Sequence, residues 1–144
     1  MGGFSVFVAG RAVGQGSMRS LGRGRMTHDN VKLRAWRKSI GWVVRSAMGA
    51  DEPTPADVIV RMHFLVRPTR QGDAPDLDKL VRGVLDALTK IAYLDDKQVV
   101  QIDARRSLAR DASEASPFVS EAKRLVPHAP FDDPEGLLLT VEDR

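Results

Sequence analysis

Cysteine is absent from this chain of 144 residues, which excludes disulfide bonds, thiolate zinc sites and cysteine nucleophiles. Histidine occurs only three times, at scattered positions, so the sequence does not favour a histidine-rich metal site. No apolar run approaches the roughly 20 residues that a membrane span needs, and no basic segment followed by an apolar one indicates secretion. With 42% hydrophobic and 28% charged residues, we expect one folded domain in the cytoplasm, without membrane contact.

Acidic residues are scarce in the first third of the chain. Residues 1–50 contain nine basic side chains and one acidic one, whereas residues 111–144 contain three basic and eight acidic ones. The basic region predicts a polyanionic partner such as nucleic acid, although a solvated charged surface would have the same composition. The candidate DNA-contacting residues in this region are Arg11, Arg19, Arg23, Arg25, Arg34, Lys38 and Arg45.

Hydrophobic periodicity predicts a single α+β domain over residues 1–144, with a small mixed sheet packed against two main helices. Strands are predicted at Phe4–Val8, Val58–Val66, Gln98–Leu108 (with Val100, Ile102 and Ala104 facing inward) and Leu137–Val141. Helices are predicted at Asn30–Met48, at Asp76–Ala92 and, more briefly, from Pro117 onward with Ser116 as its cap. Residues 10–29 are interpreted as a flexible basic loop, residues 111–144 as an acidic C-terminal extension, and Trp36 and Trp42 as core residues.

Two acidic pairs carry the candidate chemistry. Asp76 and Asp78 stand at the start of the second predicted helix, and Asp95 and Asp96 follow it. Magnesium prefers oxygen ligands, and carboxylates supply both oxygen and charge. A third aspartate from a separate loop would complete a metal site that activates water for phosphodiester hydrolysis. The alternative is structural: Asp76 would cap the helix, and Asp95 and Asp96 would form a common turn.

The two acidic segments together resemble the signature of the RusA-type Holliday junction resolvases. The segments are Pro75–Thr89, with the sequence PDLDKLVRGVLDALT, and Tyr93–Val100, with the sequence YLDDKQVV. The family signature has a D-x-D-N helix start, a downstream D-A-L and a D-D-x-Q-V-V turn into a strand. Lys79 replaces its asparagine, and Arg82 replaces a lysine, which keeps the charge but does not readily release a proton. The likeness in element order extends over residues 4–110.

This resemblance implies an endonuclease that depends on Mg²⁺, with Mn²⁺ as a possible substitute, and that needs no small-molecule cofactor. Such enzymes occur in bacteria and phages and cut four-way DNA junctions by paired symmetric nicks. Matching the motif assigns Asp76, Asp78 and Asp96 as metal-binding catalytic carboxylates, which we expect to converge within one coordination sphere. Arg82 would stabilise the charge that develops on the phosphate, and Lys79 would contact DNA.

The resemblance also implies a homodimer, because a two-fold symmetric junction needs two symmetric active sites. The candidate interface is the apolar segment Leu137–Leu139 or an edge strand. Two alternative functions stay open at this point. One is a less selective nuclease for branched or flap DNA that uses the same site, and the other is a non-catalytic nucleic-acid-binding module.

Overall fold

The computed structural model describes residues 2–15, 23–68, 74–128 and 135–144, with the backbone alone for residues 23–30. The described chain is an α+β domain with a four-stranded mixed sheet and three α-helices, which confirms the predicted class. The elements in chain order are β1 (Gly3–Ala9), α1 (Arg23–Met48), β2 (Val58–Val66), α2 (Leu77–Leu88), a 3-10 helix (Asp96–Gln98), β3 (Val99–Leu108), α3 (Ala112–Leu125) and β4 (Gly136–Asp143).

The strand order in the sheet is β1-β4-β2-β3. β4 runs antiparallel to both of its neighbours, and β2 and β3 are parallel. A parallel pair needs a long crossover connection, which contains α2 here. β4 belongs to the C-terminal segment that was predicted as an extension. It lies between β1 and β2 and is therefore an inner strand of the sheet. The proposal of Leu137–Leu139 as a dimer interface is wrong, because Leu137 and Leu139 are buried in the core.

The two predicted main helices cover one face of the sheet. Residues at i, i+4 spacing form the buried stripe of each helix: Trp36, Ile40, Val44 and Met48 in α1, and Leu80, Val84 and Leu88 in α2. They pack against alternate residues of the inner strands, such as Val60, Met62 and Phe64. None of the helices in the described ranges is long and apolar enough to cross a membrane.

A third helix, α3, covers the opposite face of the sheet. Its Phe118 is fully buried and lies edge-on to Phe7, with ring centroids 5.9 Å apart, and to His63, at 5.2 Å. The predicted start at Pro117 is wrong. The helix begins at Ala112 because Asp111 provides the N-cap, and its carboxylate accepts hydrogen bonds from the backbone N–H groups of residues 113 and 114.

Two helix boundaries differ from the prediction. α1 begins at Arg23 rather than Asn30, so the prediction of a flexible basic loop over residues 10–29 is wrong for residues 23–29. Residues 16–22 of that predicted loop lie outside the described chain. A helix already fixed by packing can extend over polar residues at little cost. α2 ends at Leu88 rather than Ala92, because Thr89 is extended and Lys90 has a φ of 71°. This turn buries Tyr93, whose hydroxyl donates to the Leu85 carbonyl at 3.0 Å.

Three apolar side chains predicted to face the core are exposed: Val100 and Ile102 at 43% each, and Trp42 at 75%. Ile102 is paired with Val60 and so shares its face of the sheet. β3, however, is the last strand of the described sheet: Val99, Ala104 and Leu108 pack against the core, whereas Val100 and Ile102 remain exposed. Trp42 follows Trp36 by six positions, which places the two side chains about 120° apart around an α-helix, so Trp42 lies off the buried stripe.

Candidate active site

The carboxylates of Asp76 and Asp78 lie at the N-terminus of α2. Asp76 occupies the N-cap position, with an extended backbone, yet its side chain makes no capping hydrogen bond. Its Oδ2 lies 3.6 Å from Lys79 Nζ. Both aspartates are exposed. The structural alternative of a capping Asp76 is therefore not observed, and both carboxylates can accept an external ligand.

A cleft of about 550 Å³ separates this helix end from β3. Asp76, Asp78, Arg105 and Arg106 all line it. Arg106 Nη1 donates to the carbonyl oxygen of Pro75 at 2.7 Å, and this bond ties the start of α2 to the strand. The guanidinium of Arg105 lies on the other face of the sheet, with its Nε 3.4 Å from His63 Nε2. The cleft therefore combines two anionic oxygen donors with the guanidinium group of Arg106. No sequence pattern predicts Arg106 at this site, because its place beside Asp76 depends on the parallel crossover between β2 and β3.

The polypeptide that follows β1 also reaches this end of α2. Gln15 N donates to Lys79 O at 3.1 Å, and a Cβ at position 14 would lie 3.1 Å from the Cβ of Lys79. A glycine at position 14 permits this close approach. The described segment that ends at Gln15 therefore lies next to the candidate site.

Arg82 and Asp86 occupy the exposed face of α2, one and two turns after Asp78, as the spacing predicts. Asp86 Oδ2 accepts a hydrogen bond from Arg37 Nη2 on α1 at 3.1 Å. Asp86 is thus engaged in an ion pair between helices. No such partner is described for Arg82, which stands between that pair and Asp78.

Asp95 and Asp96 have different surroundings. The carboxylate of Asp95 caps the 3-10 helix and accepts from Lys97 N at 2.9 Å, and this hydrogen bond is the main reason that its pKa is lowered. Gln98 completes the capping box and fastens the turn to the chain before β2, because its amide nitrogen donates to Thr54 O and Ala56 O at 2.7 Å. Asp95 therefore has a structural role, and Asp96 is the acid of this pair that can serve a ligand.

The three predicted carboxylates do not converge in one chain. Within the described ranges, no group of three acidic or histidine residues could hold a metal ion. Asp76 and Asp78 lie beside residues 104–106 of β3, whereas Asp96 precedes its first residue. Five strand residues separate the two places by about 16 Å. The expectation of one shared coordination sphere within a single chain is therefore wrong.

The predicted DNA-contacting residues fall into three groups. Arg34, Lys38 and Arg45 are exposed on α1, and Lys79 forms an ion pair with Asp76 beside the cleft. Arg11 Nε lies 3.5 Å from Glu135 Oε1, so it is partly neutralised. The side chains of Arg19, Arg23 and Arg25 lie outside the described part of the structure.

A carboxylate pair next to an arginine in an open cleft has the chemistry to contact a divalent cation and a phosphate ester. The family model described as "Endodeoxyribonuclease RusA" matches residues 9–120, which include this cleft. The chain belongs to the RusA endodeoxyribonuclease family, as its signature predicted. Comparison with curated proteins gives no match.

Proposed function

We propose that this protein is a metal-dependent endonuclease that resolves four-way DNA junctions by paired, symmetric phosphodiester hydrolysis. The observation that supports this most directly is the cleft between α2 and β3. In it, the carboxylates of Asp76 and Asp78 lie beside Arg106, in a chain of the RusA endodeoxyribonuclease family.

The residues of the cleft suit Mg²⁺ or Mn²⁺. Magnesium is commonly held by one or two carboxylates, with water and substrate phosphate as its other ligands, and Asp76 and Asp78 provide that pair. A bound ion would supply an activated water and would offset charge on the phosphate. Arg106 would hold a phosphate oxygen, since a guanidinium group matches phosphate geometry. Arg82 would stabilise charge without transferring a proton.

Resolution by paired nicks requires two such sites, and a homodimer would supply them. β3 is the strand best suited to the interface. It ends the sheet in the described chain and presents Val100 and Ile102 at its free edge, each 43% exposed. Long unprotected edges of this kind favour pairing with another strand.

Antiparallel pairing of two β3 strands around Ile102 would also bring carboxylates that are separated within one chain close to each other across the interface. A two-fold axis there places the beginning of one β3 beside the end of the other. Asp96 of one chain would then approach the Asp76–Asp78 pair of the second chain. In this arrangement each metal site draws on both subunits.

Because the chain has no cysteine, the interface can be tested by cross-linking. Ile102→Cys should form an intermolecular disulfide on mild oxidation, since directly opposed strand residues have Cα separations within disulfide range. Ser116→Cys, exposed on α3, is the control and should stay unlinked. Equal linking of the two variants would contradict β3 pairing.

Shared sites can be tested by mixing two inactive variants, Asp78→Asn and Asp96→Asn. If each site uses both chains, half of the sites in mixed dimers contain neither substitution, and nicking of the junction should return. If each site lies within one chain, every site remains defective and no nicking returns.

The proposed function itself is tested on synthetic four-way junctions, flaps and linear duplexes, with Mg²⁺ and with a chelator. Paired nicks in opposing strands of the junction that require Mg²⁺ would support junction resolution. Equal cutting of flaps and junctions would support the less selective nuclease. Binding without cutting, in any divalent ion, would support the non-catalytic module.

A further inference from the structure

Trp42 is an exposed tryptophan on a strongly basic helix. Its side chain is 75% accessible on α1. Lys38 precedes it by four residues and Arg45 follows it by three, so both lie on the same face of the helix. Arg34 lies one turn before Lys38, and all three cations are exposed.

The charge of this face is not balanced by neighbouring acids. Over its 26 residues, α1 contains seven basic residues and a single acidic one, Asp29. Arg37 is paired with Asp86, whereas no carboxylate within the described ranges forms an ion pair with Arg34, Lys38 or Arg45. The indole is therefore surrounded by cations that are free to bind an anion.

The indole borders a shallow recess between α1 and α2. Gly41, Ala87 and Ile91 contribute to a cavity of about 560 Å³, whose rim carries the cations. Proteins that bind unpaired nucleic acid combine these two features, since bases stack on aromatic rings while cations hold the phosphates. Ala87 and Ile91 give the recess an apolar floor, but its rim is cationic, and this charge matches a polyanion better than a neutral apolar partner.

We propose that Trp42, with Lys38 and Arg45, binds unpaired nucleotides of the DNA substrate by stacking a base on the indole. The inference rests on the proposed nuclease function and adds a substrate preference to it. DNA with unpaired or unstacked bases, as at a branch point, binds this face better than a continuous duplex does.

This surface is separate from the cutting site. The recess lies beside Asp86 and Ile91, toward the C-terminal end of α2, whereas Asp78 is in its first turn. The eight residues from Asp78 to Asp86 span about 12 Å of helix. Loss of the indole should therefore weaken DNA binding and leave the reaction of bound DNA unchanged.

The test compares Trp42→Ala and Trp42→Phe with the control Leu94→Ala. Leu94 is also an exposed apolar residue, but it is followed by two aspartates and has no cations beside it in sequence. Affinity for oligothymidylate, a four-way junction and a blunt duplex is measured in chelator, where cutting is absent. Trp42→Ala should weaken oligothymidylate binding by roughly five-fold or more. Trp42→Phe should retain most of the affinity, and Leu94→Ala should match the wild type.

Two further readouts separate stacking from a general effect on folding. Oligothymidylate should quench the fluorescence of the wild type, because Trp36 is buried and Trp42 is the accessible indole. The cutting rate of Trp42→Ala at saturating junction should stay within about two-fold of the wild type, as expected for a change confined to binding.

Unchanged oligothymidylate affinity in Trp42→Ala would overturn the inference, even if the wild type resolves junctions. Loss of the dimer in Trp42→Ala, seen by sedimentation, would also overturn it and identify the face as a subunit interface. Quenching and affinity loss in a protein that cuts no DNA would support the inference and refute the nuclease proposal.

Discussion

Gln98 should be a main determinant of stability around the candidate site, although it touches no substrate. Its side-chain oxygen accepts from Leu94 N and Asp95 N at 2.9 Å, and its nitrogen donates to Thr54 O and Ala56 O at 2.7 Å. Four hydrogen bonds at about 1 kcal/mol each set an upper limit near 4 kcal/mol. In the variant, water can form hydrogen bonds with the exposed backbone groups in place of the Gln98 side chain. Water does not easily reach the carbonyl oxygen of Thr54, because that residue is buried. We therefore expect Gln98→Ala to lower the free energy of unfolding by about 2 kcal/mol.

Urea unfolding followed by circular dichroism measures this change. Gln101→Ala is the matched control, since Gln101 is exposed on β3 and its amide makes one contact, 3.5 Å from Asp103 Oδ2. The control should stay within about 0.5 kcal/mol of the wild type. Junction cutting should also fall in Gln98→Ala, because the turn that carries Asp96 loses its attachment to the chain before β2. Equal stability of the two variants would refute this account of the turn.

Two more predictions concern the face of the sheet opposite the cleft. Burial lowers the pKa of His63 to about 4 from an ordinary 6.5, so the unfolded chain binds more protons between these pH values. The free energy of unfolding should fall by about 1–2 kcal/mol as the pH drops through that range, after allowance for solvent screening. Urea titrations at several pH values would measure this change. An equal dependence of the unfolding free energy on pH in His63→Gln would contradict the prediction. Phe118→Ala should lower the free energy of unfolding by about 3–4 kcal/mol, because a fully buried ring is lost. A change below about 1 kcal/mol in the same urea titration would mean that α3 is not part of the core.

Strong local patterns allowed much of the fold to be predicted from the sequence. The alternation in Val58–Val66 defined β2 at both ends, and the stripe of Leu80, Val84 and Leu88 defined the buried face of α2. The paired aspartates and their spacing identified the family. These features depend on neighbours in sequence, which periodicity and motifs report directly.

The errors arose where tertiary neighbours decide the outcome. Ile102 has the spacing of a core residue, yet it lies on the last strand of the described sheet and remains exposed. Trp42 is as apolar as Trp36, but the phase of α1 points it outward. The place of Arg106 at the cleft depends on a crossover that brings β3 beside α2. Asp96 shares a family motif with Asp76, while the length of β3 holds them apart.

The junction-cutting rate of Asp78→Asn in Mg²⁺, at saturating DNA, tests the central claim most directly. Asp86→Asn is the matched control, because Asp86 is on the same face of α2 but is engaged by Arg37 rather than in the cleft. An amide cannot supply the charge that the cation needs, so Asp78→Asn should lose cutting while it binds the junction as well as the wild type or better. Asp86→Asn should still cut. Wild-type cutting by Asp78→Asn would contradict the assignment of the cleft between α2 and β3 as the catalytic site.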